Sequence, residues 1–229
     1  LPHGTRQKKG ITSELIRDMV RYVRATYRAA SMEEALVSVM WAGLLRPGEA
    51  VLTPLYPNFD VTRHRKMGNV RFFTKAGVRC EPGRGDVPAR LELDIDYSKT
   101  DQRRMAAYTV VVGATGDPGF CPVMAMWAYL EARGQGPPEA PLFTYGDGKP
   151  ATYARLCKLV QSALRNGGMP AHECKHYAGH RFRIGGAQAL ALAGRSVEYV
   201  MAMGRWRCLE SVMTYVGAPH EMRMTDVAD

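Results

Sequence analysis

The chain has 229 residues, 46% hydrophobic and 23% charged, proportions ordinary for a soluble globular protein with a substantial core in one large domain or two small ones. Its 31 Lys and Arg against 22 Asp and Glu give a formal net charge of +9, which favours a polyanionic partner, nucleic acid first and an acidic membrane surface second. Five cysteines without a CxxC pair argue against a disulfide framework or a zinc ribbon and fit reduced thiols in a cytosolic or nuclear compartment. No apolar run approaches membrane-spanning length, and LPHGTRQKKG has no signal-peptide core. The missing initiator Met points to a piece of a longer chain.

Residues 1–10 read as a basic, flexible lead-in. The spacing of Leu15, Ile16, Met19, Val20 and Val23 predicts a helix over about 12–29, capped by Thr12 or Ser13, with Arg17, Arg21, Arg24 and Arg28 on its other faces. Those arginines are either a solvated face or a track for a nucleic-acid backbone. Ser31 and Glu34 form a capping box that opens a second helix, MEEALVSVMWAGLL. It is expected to end near Leu45, because the residue before Pro47 is pushed out of the α region, so Arg46 belongs to a helix terminus. A short helical turn is expected through Gly48, Glu49 and Val51.

The middle of the chain changes character. NVRFFTKAGVRC (69–80), RLELDIDYS (90–98) and AAYTVVVGA (106–114) are β-branched, aromatic or alternating runs. They predict a small three-stranded antiparallel sheet, with EPGRGDVP (81–88) as a loop and Lys99 at the turn of the second hairpin. Helices are expected again at about 120–133, 151–166, 180–193, 196–204 and 208–216. Gly-Gln-Gly-Pro-Pro (134–138) is a short break. There is no repeat and no low-complexity segment, so residues 1–229 read as a single domain, mainly α with that small sheet, ending in a tail at 218–229.

Seven polar or aromatic residues are not required by packing: Arg46, Glu49, Lys99, His180, Arg183, Trp206 and Tyr215. Two arginines supply planar, permanently charged forks for the non-bridging oxygens of a five-coordinate phosphate. A tyrosine hydroxyl serves as nucleophile where a dense cationic site favours its phenolate. A lysine on a hairpin can protonate a departing oxygen. Taken singly, each has a plainer reading. Arg46 fits a cation at a helix C-terminus, and Lys99 a solvated turn. His180 and Arg183 fit a capping pair, and Trp206 and Tyr215 fit half-buried packing.

In this order and spacing the residues resemble the catalytic domain of the tyrosine recombinases, the integrase family that cuts DNA through a covalent 3′-phosphotyrosine. GLLRPGE (43–49) resembles the first family box and implies Arg46 as first catalytic arginine, with Glu49 as its orienting acid. SKTDQ (98–102) resembles the hairpin box and implies Lys99 as general acid. HRFR (180–183) implies His180 and Arg183. GRWRCLESVMTY (204–215) implies Trp206 as phosphate ligand and Tyr215, nine residues on, as nucleophile. The likeness covers about residues 10–217, and the SKTDQ and GRW wording is similar to Crypton and DIRS-like recombinases of eukaryotic mobile elements. The chain departs from the commonest bacterial pattern in having Met-Gly-Arg-Trp where that pattern has Leu-Gly-His.

The resemblance implies a mostly helical DNA breaking-rejoining fold with a small antiparallel sheet. It implies a DNA recombinase or integrase, with double-stranded DNA as partner and self-association into a tetrameric synaptic complex. No cofactor and no metal are expected, since the arginines carry the electrostatic load and transesterification keeps the bond energy. The family's N-terminal core-binding domain is expected to be absent from this chain. A transposable-element origin implies the nucleus; otherwise the cytoplasm or nucleoid is expected, with no membrane association. The competing readings are a type IB topoisomerase-like relaxing enzyme and an inactive DNA-binding protein derived from a mobile element. HECKHYAGH (172–180) matches no structural zinc spacing. GDGK (146–149) is no phosphate loop, because Pro150 stands where Ser or Thr is needed.

Overall fold

The computed structural model of the chain describes residues 9–96, 108–134 and 136–216. Lys99, most of the lead-in and the 218–229 tail lie outside the described residues. Helix α1 (Ser13–Thr26) begins where Thr12 accepts the Leu15 backbone N–H, and it turns Ile16, Met19, Val20 and Val23 inward. Helix α2 (Met32–Ala42) begins at Ser31, whose hydroxyl accepts the Glu34 backbone N–H. It stops earlier than the proline alone requires. Gly43 caps it, and Leu44 then turns into the left-handed region at φ +49°, so the chain doubles back before Pro47 is reached. Arg46 follows in extended backbone and opens the single turn α3 (Pro47–Ala50).

The sheet has four strands rather than the three expected. The run 69–80 is not one strand but a hairpin, β1 (Val70–Phe73) and β2 (Arg79–Cys80), folded at Gly77 with φ +80°. β3 (Arg90–Ile95) and β4 (Tyr108–Gly113) complete an antiparallel sheet in the order β2-β1-β3-β4. Along β3, Leu91, Leu93 and Ile95 are buried, and the alternate Glu92 and Asp94 face Arg71 of β1 in cross-strand ion pairs. That period of two is the pleat itself.

The remaining helices are α4 (Pro122–Arg133), α5 (Tyr153–Asn166), the short α6 (Ala171–Cys174), α7 (His180–Leu192), α8 (Val197–Gly204) and α9 (Leu209–Val216). One core joins α1, α2, α4 and α5 to the inner face of the sheet through Leu36, Met40, Leu93, Val110, Met126, Trp127 and Val160. Burying each such side chain contributes about 1.5–3 kcal/mol. A second, smaller cluster, Leu44, Ala187, Val200 and Val212, holds α8 and α9 against α7 and the end of α2.

Helix α7 reaches the main body by lacking side chains. A Cβ on Gly185 would stand 1.8 Å from the Ile11 carbonyl oxygen, and one on Gly186 would stand 2.3 Å from that of Trp41. Gly10 and Ile11 therefore pack against this helix, and the Ile11 N–H donates to the Arg181 carbonyl at 3.0 Å. Three of the α1 arginines are tied within the chain: Arg17 to Asp117 at 3.1 Å, Arg24 to Glu34 at 2.7 Å, and Arg21 to Asp18. No described helix is long and apolar enough to cross a membrane.

Candidate active site

The site forms where the turn after α2 meets the N-terminal half of α7 and the junction of α8 with α9. Arg46 precedes Pro47, which holds it extended. Glu49, three residues on, reaches back: its carboxylate accepts the Arg46 backbone N–H at 2.8 Å and Arg46 Nη1 at 3.0 Å. This carboxylate is buried, only 4% exposed. Burial by itself pushes its pKa up, but the guanidiniums of Arg205 and then Arg46 outweigh that and hold it below the ordinary range.

Arg183, on the first turn of α7, is one of the most buried side chains of the protein. Its Nη1 donates to the Leu44 carbonyl at 2.6 Å and its Nη2 to the Gly204 carbonyl. The Gly204 carbonyl is one of those α8 leaves unpaired at its end, and the Leu44 carbonyl lies in the turn just past α2. The Trp206 indole lies on the guanidinium, 3.9 Å from its carbon to the ring centroid, a cation–π contact. Burial first, then repulsion by Arg46 and Arg205, push Arg183 down to about 9. The cation is thus electrostatically stressed and gains from any anion brought nearby.

Tyr215 projects from the end of α9. Its ring centroid stands 5.7 Å from that of Trp206 and 6.3 Å from that of His180. Gln188 of α7 donates to its backbone carbonyl at 3.0 Å, and Val212, one turn earlier, is fully buried. The tyrosine is therefore presented by its own chain to its own arginines. His180, first residue of α7, is exposed beside it.

The structure brings together Arg46, Glu49, His180, Arg183, Trp206 and Tyr215, while Lys99 falls outside the described residues. One member was not anticipated. Arg205 is 7% exposed, adopts the left-handed conformation at φ +57°, and donates to Glu49 at 2.7 Å. Three guanidiniums thus surround one carboxylate, an imbalance that attracts a further anion. Among the described residues no group of His, Cys, Asp and Glu is placed to hold a metal ion.

No protein-family model and no curated protein matches the sequence. Solved structures do match in three dimensions. The XerH site-specific recombinase bound to palindromic difH superposes with a TM-score of 0.63 at 14% identity, over 93% of this chain and 51% of that one. The fold is that of the tyrosine recombinase catalytic domain. The XerA recombinase gives 0.60 at 13% identity over 100% of this chain and 67% of that one. The Tn1549 transposon integrase in complex with transposon right end DNA gives 0.53 at 15% identity, over 95% and 64%. The chain spans about half the length of the XerH protein. This recombinase fold places the turn after α2, the start of α7 and the end of α9 side by side, and there the seven-residue pattern finds its described members.

Proposed function

We propose that the chain is the catalytic part of a site-specific DNA recombinase or integrase acting on double-stranded DNA. The observation that carries this reading is a tyrosine ring against Trp206, which itself covers Arg183, one of three arginines clustered around one buried carboxylate. A phosphodiester supplies the negative charge such a site lacks. In the proposed step the Tyr215 hydroxyl oxygen bonds to phosphorus as its proton passes to solvent water, and the bond from phosphorus to the 5′ oxygen breaks. The 5′ oxygen leaves as a hydroxyl, with Lys99 as proton donor, and the strand stays attached through a 3′-phosphotyrosine. Attack by a 5′ hydroxyl on that linkage reverses the bonds and restores the tyrosine.

Arg46 and His180 contact the phosphate oxygens in this scheme. Arg183, with both terminal nitrogens on carbonyls and an indole on its face, lends the DNA-free site charge at a set position rather than an open fork. Glu49 orients Arg46. Strand exchange calls for a synaptic assembly, for which a tetramer is the proposed form. The deciding experiment incubates the protein with nicked suicide DNA at low salt and looks for an SDS-resistant adduct. The wild type forms the adduct and Tyr215→Phe does not. DNA binding with no adduct from the wild type would leave a binding module instead.

A further inference from the structure

We infer that Arg205 is a positioning residue for the reaction, acting through Glu49 and the Leu44 carbonyl to hold the Trp206 segment in register with Arg46. The inference rests on the proposed recombinase reading. Arg205 is the C-cap of α8, immediately before Trp206. Its side chain leaves that helix end and crosses to the turn after α2. There Nη2 donates to Glu49 Oε2 at 2.7 Å and to the Leu44 carbonyl at 3.3 Å, and Nη1 donates to the Gly43 carbonyl at 3.4 Å. Nη1 also donates to its own Met203 carbonyl at 3.2 Å. One planar group therefore spans both ends of the site.

Two of its acceptors are already in use by other site residues. Glu49 also takes Arg46, and the Leu44 carbonyl also takes Arg183. Arg205 is thus the member that links the Arg46–Glu49 pair to the Arg183–Trp206 pair. The backbone is bent to permit this, since Arg205 and Leu44 are two of three described non-glycine residues with positive φ. Left-handed backbone is unfavourable for a residue with a Cβ, and it persists here where the side chain and the carbonyl meet. Arg205 lies under the site rather than at its surface, 3% exposed at the side chain, so it orients the groups that meet phosphate.

The fork geometry separates positioning from charge. Lysine keeps the charge but presents no planar fork for Glu49 and the Gly43 and Leu44 carbonyls together. The test compares wild type, Arg205→Lys and Arg205→Met in single-turnover adduct formation on the nicked suicide substrate at saturating DNA. DNA affinity and melting temperature are measured alongside. The expected order is wild type, then Lys slower by about tenfold, then Met slower by about a hundredfold or more, with DNA affinity within about threefold throughout. That loss of rate at constant affinity, graded by the fork, is the signature of positioning.

A folded Met variant that forms adduct at the wild-type rate would overturn the inference. So would a loss of rate matched by an equal loss of DNA affinity. Where the Met variant does not fold, the Lys variant decides: slower at unchanged affinity supports the inference, and wild-type rate overturns it. Failure of the wild type to form any adduct strikes the recombinase reading first and removes this inference with it, an outcome distinct from the others.

Discussion

At the scale of single residues, Glu49 organises the site electrostatically. It is a buried carboxylate with Arg46 and Arg205 bonded to it and Arg183 near enough to act on its charge; Arg65 also feels its field. Glu49→Gln keeps the volume and removes the carboxylate that Arg46 and Arg205 share among the described residues. Breaking a buried pair in this way costs about 3–5 kcal/mol, read as a fall in the urea midpoint at neutral pH. The pH dependence follows from the direction of the shift. The Glu49 pKa lies below its ordinary value of 4.5, so the unfolded chain binds its proton first as the solution is acidified. Its stabilisation is complete above about pH 4.5, and it is lost as the pH falls through the lower folded value. The wild type should therefore lose urea midpoint steeply below that pH, and the Gln variant should lack that part of the acid limb. Tyr215 belongs to the same scale. Tyr215→Phe retains the packing against Trp206 and His180, so it should abolish the covalent adduct while leaving the melting temperature within about 2 °C of wild type.

At the scale of elements, helix α7 sets how closely the two parts of the site approach. Its glycines bring its backbone against Ile11 and Trp41, and the same helix carries His180 and Arg183 on its first turn and Gln188 beneath Tyr215. An alanine normally favours a helix over glycine by about 1 kcal/mol. Gly185→Ala should nevertheless destabilise the protein by about 3 kcal/mol, because its Cβ meets backbone that has no side-chain freedom to yield. Gly146→Ala has open space around the new Cβ and should change stability by no more than about 0.5 kcal/mol. Thermal melts of both variants check the contrast.

The helices were legible in the sequence because apolar residues recur at helical spacing and Thr12 and Ser31 announce the starts of the first two. Legibility failed where structure is short or bent. The β1–β2 hairpin reads as one β-prone run, because its turn depends on a single positive-φ glycine. The four-residue α6 offers no periodicity. The end of α2 came at Ala42 rather than near Leu45, where the chain reverses and the Leu44 carbonyl is given to two arginines.

At the scale of the whole molecule, the net charge of +9 is not spread evenly in its consequences. The α1 arginines are largely matched by Asp18, Glu34 and Asp117, whereas those around Glu49 outnumber their carboxylate. DNA affinity of the chain should therefore depend steeply on salt, weakening at least about tenfold between 50 and 200 mM. A fluorescence-anisotropy titration across that range measures the slope. An affinity independent of salt would argue against phosphate contacts as the source of binding.

By itself the sequence determined the helical segments, the presence of a small sheet, and the spacing of Arg46, His180, Arg183, Trp206 and Tyr215. Local propensity and periodicity act over a few residues, and the family-like order of motifs needs no contacts to be read. Only the tertiary structure decided that these residues meet, and that Arg205 meets them. The bond from Arg205 to Glu49 joins residues 156 apart in the chain, and nothing local to Met-Gly-Arg-Trp marks that arginine as buried. A charge is stable inside a protein only opposite its partner, and which partner it finds is settled when the end of α8 folds back onto the turn after α2.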